Sequence, residues 1–446
     1  MNELTLKSDE YSQLKRAFMG GHTHANAFYV GKVLDNVASQ DFASSYPAVM
    51  LLEKFPMSKA HTVDKDISDE EFSQLLSTKC CMFDIRIKSI YHKLKFEHPI
   101  PRSKCWLCIN SVQDNGRIVM ADEIGITCTE QDFKTYCEFY EWESFSISNL
   151  RYYDKQYLPH EFVKAILGLY EKKTTLKDVV GEEVNYMISK NMLNAAFGMS
   201  VTDIVRDLLG YENGIYTKVK PVLEEAIEKY NDNVRRFLFY PWGVWITAYA
   251  RRNLFTGIKE IGEDFVYSDT DSIKYLNPQE HEDYFNSYNQ KILAKISLSA
   301  QYHHIDEAQF SPLNKKGKKK TIGLWDYEGT YDQFKTLGAK RYLVRIGNEY
   351  SVTLAGANKK MTAKYLVKTG QPFDNFTDDM RIPEEYSGRL TATYIDDEHT
   401  GWVTDYLGTP FQYTELSATH LEPSEYNLTM SDEFLNYLKG VRDLDW

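Results

Sequence analysis

Apolar positions recur along this chain with two different periods. CMFDIRIKSI (81–90), in which Asp84, Arg86 and Lys88 alternate with apolar residues, and GRIVMADEIGITC (116–128), a mostly apolar run, read as strands. KCWLCI (104–109) reads as a further strand. DFVYSDTDSIKYL (264–276) reads as two short strands around a tight Asp-Thr-Asp turn. Between residues 160 and 198 the spacing becomes helical, with a break around EKKTTLKD (171–178). VLEEAIEKYNDNVRRFLF (222–239) reads as an amphipathic helix, so the stretch 203–238 is expected to be helical. TVDKDISDEEFSQ (62–74) reads as a polar loop opening a helix. DNVAS (35–39) is extended, and SSYPAVMLLEKF (44–55) starts a helix with Pro47 in its first turn. Strands and helices in mixed order predict an α+β fold.

Length and charge sharpen this picture. With 446 residues, 43% of them hydrophobic, the chain can bury a large core and form two or more domains. There is no run of 18 apolar residues, and MNELTLKSDEYSQLKRAF at the N-terminus is charged, so neither membrane spanning nor secretion is expected. The net charge of −12 argues against a nucleic-acid partner until its distribution is seen. Residues 371–446 hold 16 acids against 4 bases, and the rest of the chain is balanced. Within that rest, residues 311–341 hold 8 bases against 3 acids, including KKGKKK at 315–320. A basic strip set apart from an acidic tail permits a polyanion groove. All six cysteines fall between Cys80 and Cys137. Cys105 and Cys108 form a C-x-x-C, but a second such pair is missing, and buried reduced thiols of a cytosolic protein are the expected reading over structural zinc.

Three features carry candidate chemistry. The hairpin 264–276 places Asp269 and Asp271 either side of Thr270, inside apolar sequence. Carboxylates so close repel unless a cation neutralises them, and hard oxygen ligands suit Mg²⁺; the competing reading is a solvated turn. Asp41 stands at the end of a strand beside a helix start, where backbone N–H groups can hold phosphate. In ISKNMLNAAFGMS, Lys190, Asn194 and Phe197 share one helix face, and Gly198 allows close approach.

Taken in order, these motifs resemble the family B DNA polymerases, and among them the protein-primed type of phages and linear plasmids. That family carries D-x-x-S-L-Y-P, K-x-x-x-N-S-x-Y-G and Y-x-D-T-D-S. Here they stand as DFASSYP (41–47), KNMLNAAFG (190–198) and YSDTDS (267–272). KRY (340–342) is like the family's K-x-Y, FMGG (18–21) like its Y-x-G-G, and PWGVWITAYARR (241–252) like the helix before its third motif.

The resemblance implies a right hand of palm, fingers and thumb with insertions in the palm–fingers region. The implied domains are an N-terminal segment with the first part of the palm (1–57), a terminal-protein-region-1-like insertion (58–158), fingers (159–202), a second insertion (203–238), the second part of the palm (239–345), and a thumb with the acidic C-terminal region (346–446). It implies template-directed DNA synthesis on two Mg²⁺ ions, for which Mn²⁺ can substitute. Asp41 and Asp271 would bridge the ions, with the Phe42 carbonyl as a further ligand and Asp269 as a weaker partner. Lys190, Lys173 (or Lys172), Asn194 and Phe197 would bind the incoming dNTP together with Ser45, and Tyr46 would sit under its sugar and exclude a ribose 2′-hydroxyl. Gly20, Gly21, Lys340 and Tyr342 would hold primer–template DNA.

The departures qualify these expectations. Ser45 stands where leucine is common, and Ala195 and Phe197 where serine and tyrosine are common. Phe18 and Phe197 keep a ring and lose a hydroxyl. Only 40 residues precede Asp41, so no intrinsic 3′–5′ exonuclease is expected: either the polymerase has no proofreading, or the exonuclease is a separate subunit, or the chain is a fragment, and a terminal priming protein is the other partner the resemblance allows. The 203–238 stretch, read as helical, puts the family's β-hairpin there in doubt. Two other readings compete: a catalytically silent DNA-binding or assembly subunit, and an RNA-dependent polymerase. The intact carboxylates and Lys190 disfavour the first, and Tyr46 with the D-T-D-S hairpin disfavours the second. The expected location is the cytoplasm, that of the host if the protein is viral.

Overall fold

The computed structural model describes residues 3–212, 215–395, 399–405, 407–415 and 418–443. They fall into two compact units, one of residues 1–28, 38–329 and 439–446, the other of residues 29–37 and 330–438.

The first unit is organised around the helix Tyr240–Ile261. Pro241 occupies its first turn, where a missing N–H costs nothing, and Gly262 ends it at φ 66°. Its first eleven residues, YPWGVWITAYA, carry no charge and are buried on every side, whereas Lys259 and Glu260 near its end are exposed. Trp242, Trp245 and Tyr249 pack into one core with Tyr11, Leu51, Tyr153 and Leu167. Leu254, Phe255 and Ile258 pack into a second core with Phe83, Ile126 and Phe139.

The segments 81–90 and 116–128 form the strands Cys80–His92 and Arg117–Thr129, paired antiparallel along their length. Ser144–Tyr153 flanks the first and Cys105–Ile109 the second. Successive residues of a strand face opposite ways. Cys80 therefore enters the first core and its neighbour Cys81 the second. All six cysteines are free thiols. The helix Asp69–Thr78 begins where Ser68 and Glu71 form a reciprocal capping box.

The helical stretch 160–198 resolves into His160–Leu176 and Glu183–Ser200. The break falls at 177–182, a few residues beyond the position expected, which keeps Lys172 and Lys173 helical. Only Ser189, Leu193 and Ser200 of the second helix are buried. The 203–238 stretch corrects the helical expectation. Leu208–Glu212 and Ile215–Val219 pair as an antiparallel hairpin, and among the described residues of the stretch only Leu223–Asp232 is helical.

Four antiparallel strands carry the aspartate motifs. Thr23–Ala25 pairs with Phe265–Asp269, that strand with Ser272–Tyr275, and Ser272–Tyr275 with residues 38–41 of Leu34–Phe42. In the second unit, Arg341–Ile346 pairs with Glu349–Leu354, and Leu343, Val352, Leu366, Phe376 and Leu428 form a separate core.

Candidate active site

Thr270 makes the tip of the central hairpin in the left-handed region, φ 59°, an uncommon conformation for a β-branched residue. Two short hydrogen bonds hold it there. The Thr270 N–H donates to the His22 carbonyl at 2.6 Å, and the Asp271 N–H to the Asp269 carbonyl at 2.6 Å. The turn thereby sets Asp269 and Asp271 on either side of the tip. The Asp269 carboxylate accepts from the Thr23 and Thr270 hydroxyls at 2.8 and 3.1 Å.

Asp41 arrives from the neighbouring strand, paired with Ser272. The Phe42 N–H donates to the Asp271 carbonyl at 2.8 Å, which fixes the two strand ends together. Phe42 itself is buried and stacks on Trp325, ring centroids 3.5 Å apart. Burial, then repulsion from Asp271 and Glu328, pushes the Asp41 carboxyl up to about 8. Burial, then repulsion from Asp269, pushes Asp271 up to about 6. The two carboxylates are thus held near each other at a cost in free energy, the donor arrangement that a divalent cation relieves.

Cations approach from two sides. Lys173 faces Asp41 and Asp271, donates to the Ser44 hydroxyl at 2.7 Å, and is lowered first by burial and then by Lys190. Lys172 is exposed, so Lys173 is the member of the pair that reaches the carboxylates. Lys190 lies 5.9 Å from the Tyr186 ring centroid. Lys274, buried in the strand after the tip, donates to Ser39 at 2.6 Å and stands 3.7 Å from Glu328.

Tyr46 is partly buried, and its ring meets that of Phe197 at 4.5 Å. Gly21 fits against both the tip and Tyr46. A Cβ there would stand 2.7 Å from Thr270 Cγ2 and 2.9 Å from the Tyr46 hydroxyl, whereas one at Gly20 would meet nothing within 4 Å. Arg251, paired with Asp132 at 2.8 Å, donates to the Gly20 carbonyl at 3.0 Å and also to that of Met19. Gly21, Tyr46, Phe197 and Lys173 thus gather around the three aspartates.

Asn194 is exposed on its helix. Ser45 is buried and lines a small cavity with Val49, Tyr288 and Ile292, so its backbone N–H, in the first helical turn, is what could meet a phosphate. Lys340 lies at a turn of the second unit with φ 55°, and Tyr342 stacks on Phe334 at 5.4 Å. From the basic strip, Lys315 donates to the Asp178 carbonyl at 2.7 Å, in the loop between the two helices.

Sequence reasoning overlooked Lys274, Arg251 and Asp132. A lysine at a core-facing position of an otherwise apolar strand, as in SIKYL, was the available signal for Lys274.

Residues 2–213 match the family model of DNA polymerase type B, organellar and viral. No curated protein matches the sequence. The fold is similar to that of phi29 DNA polymerase in an orthorhombic crystal form, at 17% identity and a TM-score of 0.59, over 95% of this chain and 64% of that one. It is similar to phi29 DNA polymerase complexed with primer-template DNA, at 17% identity and 0.59, over 95% and 63%. For the same polymerase complexed with single-stranded DNA the values are 16% and 0.60, over 95% and 63%. The chain spans less than two thirds of the length of these structures. Among the described residues, no helix is long and apolar enough to cross a membrane.

Proposed function

We propose that this chain, type B DNA polymerase sequence over residues 2–213, carries out template-directed DNA synthesis by nucleotidyl transfer from a dNTP to a primer 3′-hydroxyl. The observation that carries the proposal is the meeting of Asp41, at the end of its strand, with Asp271, in the turn just before the strand that pairs with it, with Lys173 facing both.

Asp41 and Asp271, with the Phe42 carbonyl, would hold Mg²⁺ or Mn²⁺, and Asp269 would support them from the far side of the tip. When bound, the metal supplies positive charge that activates the 3′-hydroxyl and stabilises the leaving pyrophosphate. Lys173 and Lys190 neutralise the triphosphate as point charges. The backbone N–H of Ser45, at a helix start, adds a phosphate donor. Phe197, with Asn194 one turn earlier, stacks at the nucleotide and seats the Tyr46 ring. Tyr46 closes the space below the sugar C2′ and so disfavours ribonucleotides.

In this reading the primer–template runs past Gly20 and Gly21, and Lys340 and Tyr342 grip the primer strand. Residues 1–57 and 239–345 form the palm, 159–202 the fingers and 346–446 the thumb. The segments 58–158 and 203–238 are the insertions, and the first is where a terminal priming protein would dock. The antiparallel pairing of Leu208–Glu212 with Ile215–Val219 in the second supports reading it as the family's β-hairpin.

Asp271→Ala tests the reading. The variant should bind primer–template as the unmodified chain does and incorporate no nucleotide with Mg²⁺. Substantial incorporation by the variant overturns the assignment. An unmodified chain that binds DNA and incorporates nothing favours the silent-subunit reading instead.

A further inference from the structure

Away from the aspartates, His22, His24 and Glu97 are buried together. One nitrogen of each imidazole and one carboxylate oxygen lie within 4.8 Å of one another, the only such group of three among the described residues. His22 Nε2 is 3.1 Å from Glu97 Oε2, and His24 Nδ1 is 3.1 Å from Glu97 Oε1. These separations are short, yet His22 Nε2, His24 Nδ1 and Glu97 Oε2 make no hydrogen bond of acceptable geometry. Buried polar atoms that converge without bonding one another call for a common partner. Around tetrahedral zinc, ligand atoms at ~2.0–2.2 Å from the metal stand ~3.3–3.5 Å apart, slightly more than the 3.1 Å between each imidazole and the nearer Glu97 oxygen.

The surroundings fit the same reading. Glu97 Oε1 accepts from the His98 N–H at 2.7 Å, which fixes the carboxylate. The second nitrogen of His24 faces the Asp114 carbonyl at 3.2 Å and its carboxylate at 3.6 Å. A ligating histidine held through its other nitrogen by a carboxylate or carbonyl is the usual support for a bound metal. The His22 ring rests on Phe255 at 4.6 Å. His22 also lines a cavity of about 150 Å³, which His24 and Glu97 do not line.

The geometry points to a structural transition-metal site, zinc by its two-nitrogen, one-oxygen donor set, formed by His22, His24 and Glu97 and supported by Asp114. It does not depend on the polymerase reading. Its place in the fold gives it a task. Thr23–Ala25 is the strand beside Phe265–Asp269, and the His22 carbonyl receives the Thr270 N–H. Glu97 belongs to the connection between the strands Cys80–His92 and Cys105–Ile109. The metal would therefore tie that connection to the residues that brace the aspartate hairpin.

Metal content of the full chain tests this. Protein expressed in zinc-supplemented medium, and purified by a tag that binds no metal, should contain close to one zinc per chain by mass spectrometry. His24→Ala and Glu97→Gln should lose it, and Asp114→Asn should weaken it by about 10–100-fold. Asp41→Asn and Cys105→Ser should keep it, which separates the site from the aspartates and from the C-x-x-C. Because ligand variants can misfold, chelator-treated unmodified chain should also take up Co²⁺ with visible bands of tetrahedral intensity, displaced by Zn²⁺. A folded, stripped chain that takes up neither metal overturns the proposal and leaves a proton-stabilised network. Loss of zinc in Cys105→Ser but not in His24→Ala overturns it too.

Discussion

Gly21→Ala should disable the site through a single methyl group. The added Cβ would stand 2.7 Å from Thr270 Cγ2, 2.8 Å from its Oγ1 and 2.9 Å from the Tyr46 hydroxyl. Unstrained carbon contacts need ~3.5–4.0 Å, so the neighbours must retreat by about 0.8–1.3 Å. Thr270 cannot yield freely, because its N–H is bonded to the carbonyl of His22, the residue after Gly21. Pushing the tip moves Asp269 and Asp271 with it. A displacement of ~1 Å at reacting groups costs on the order of 10²-fold in rate, while overpacking costs about 1–3 kcal/mol of stability. The assay is single-turnover incorporation of one dNTP on a defined primer–template, with thermal melting measured in parallel. The expected outcome is a large rate loss with modest destabilisation. Thr270→Ala in the same chain removes two of the three clashing atoms and should recover part of the rate, a coupling that independent sites would not show. Gly20→Ala, where the methyl group meets open space, should melt like the unmodified chain. A Gly21→Ala chain with normal incorporation and normal melting would refute the reasoning.

Three further outcomes are expected. Tyr46→Val should raise ribonucleotide use relative to deoxynucleotide use, read as the ratio of kcat/KM for the two sugars; an unchanged ratio makes Tyr46 a packing residue only. Lys173→Ala should lower kcat/KM for the dNTP by about 10–100-fold, the worth of one charged contact, while exposed Lys172→Ala changes it little; equal effects would contradict the side-chain directions seen here. Glu53 is buried between Lys295 at 2.5 Å and Arg252 at 2.8 Å, and despite its burial these cations hold its carboxyl below the ordinary 4.5. A depressed carboxyl stabilises the fold above its unfolded value, and the contribution fades as pH falls through the folded one. Glu53→Gln should therefore cost on the order of 1–2 kcal/mol at neutral pH, because Lys295 and Arg252 keep partial access to water, and flatten the acid limb of the melting curve below about pH 4.5.

The local geometry of the candidate site was legible in the sequence wherever it depends on short motifs. The D-T-D turn and Asp41 before a helix start are short motifs whose residue types dictate their conformation. The choice of Lys173 over Lys172 was not legible, because it depends on the phase of a helix whose end the pattern misplaced by a few residues. The hairpin 208–219 was misread because Leu208, Leu209, Ile215 and Val219 also suit a helical spacing; the Asn-Gly pair at 213–214 was the overlooked sign. The His22–Glu97 cluster was invisible for a different reason. Its members are separated by most of a sheet in sequence, and only tertiary packing brings them together.

The central helix has a consequence for how the chain must be made. Tyr240–Ile261 fills the middle of both cores, yet it follows the strand Ser144–Tyr153 by almost ninety residues. At ~5–20 residues per second of synthesis, the ribosome needs roughly 5–20 s to go from the end of that strand to the end of the helix. Throughout that interval the apolar faces of Cys80–His92 and Arg117–Thr129 wait without the helix that covers them. The nascent chain is therefore most open to chaperones and to self-association while residues 154–261 are being added, and slowing translation there would prolong the exposure.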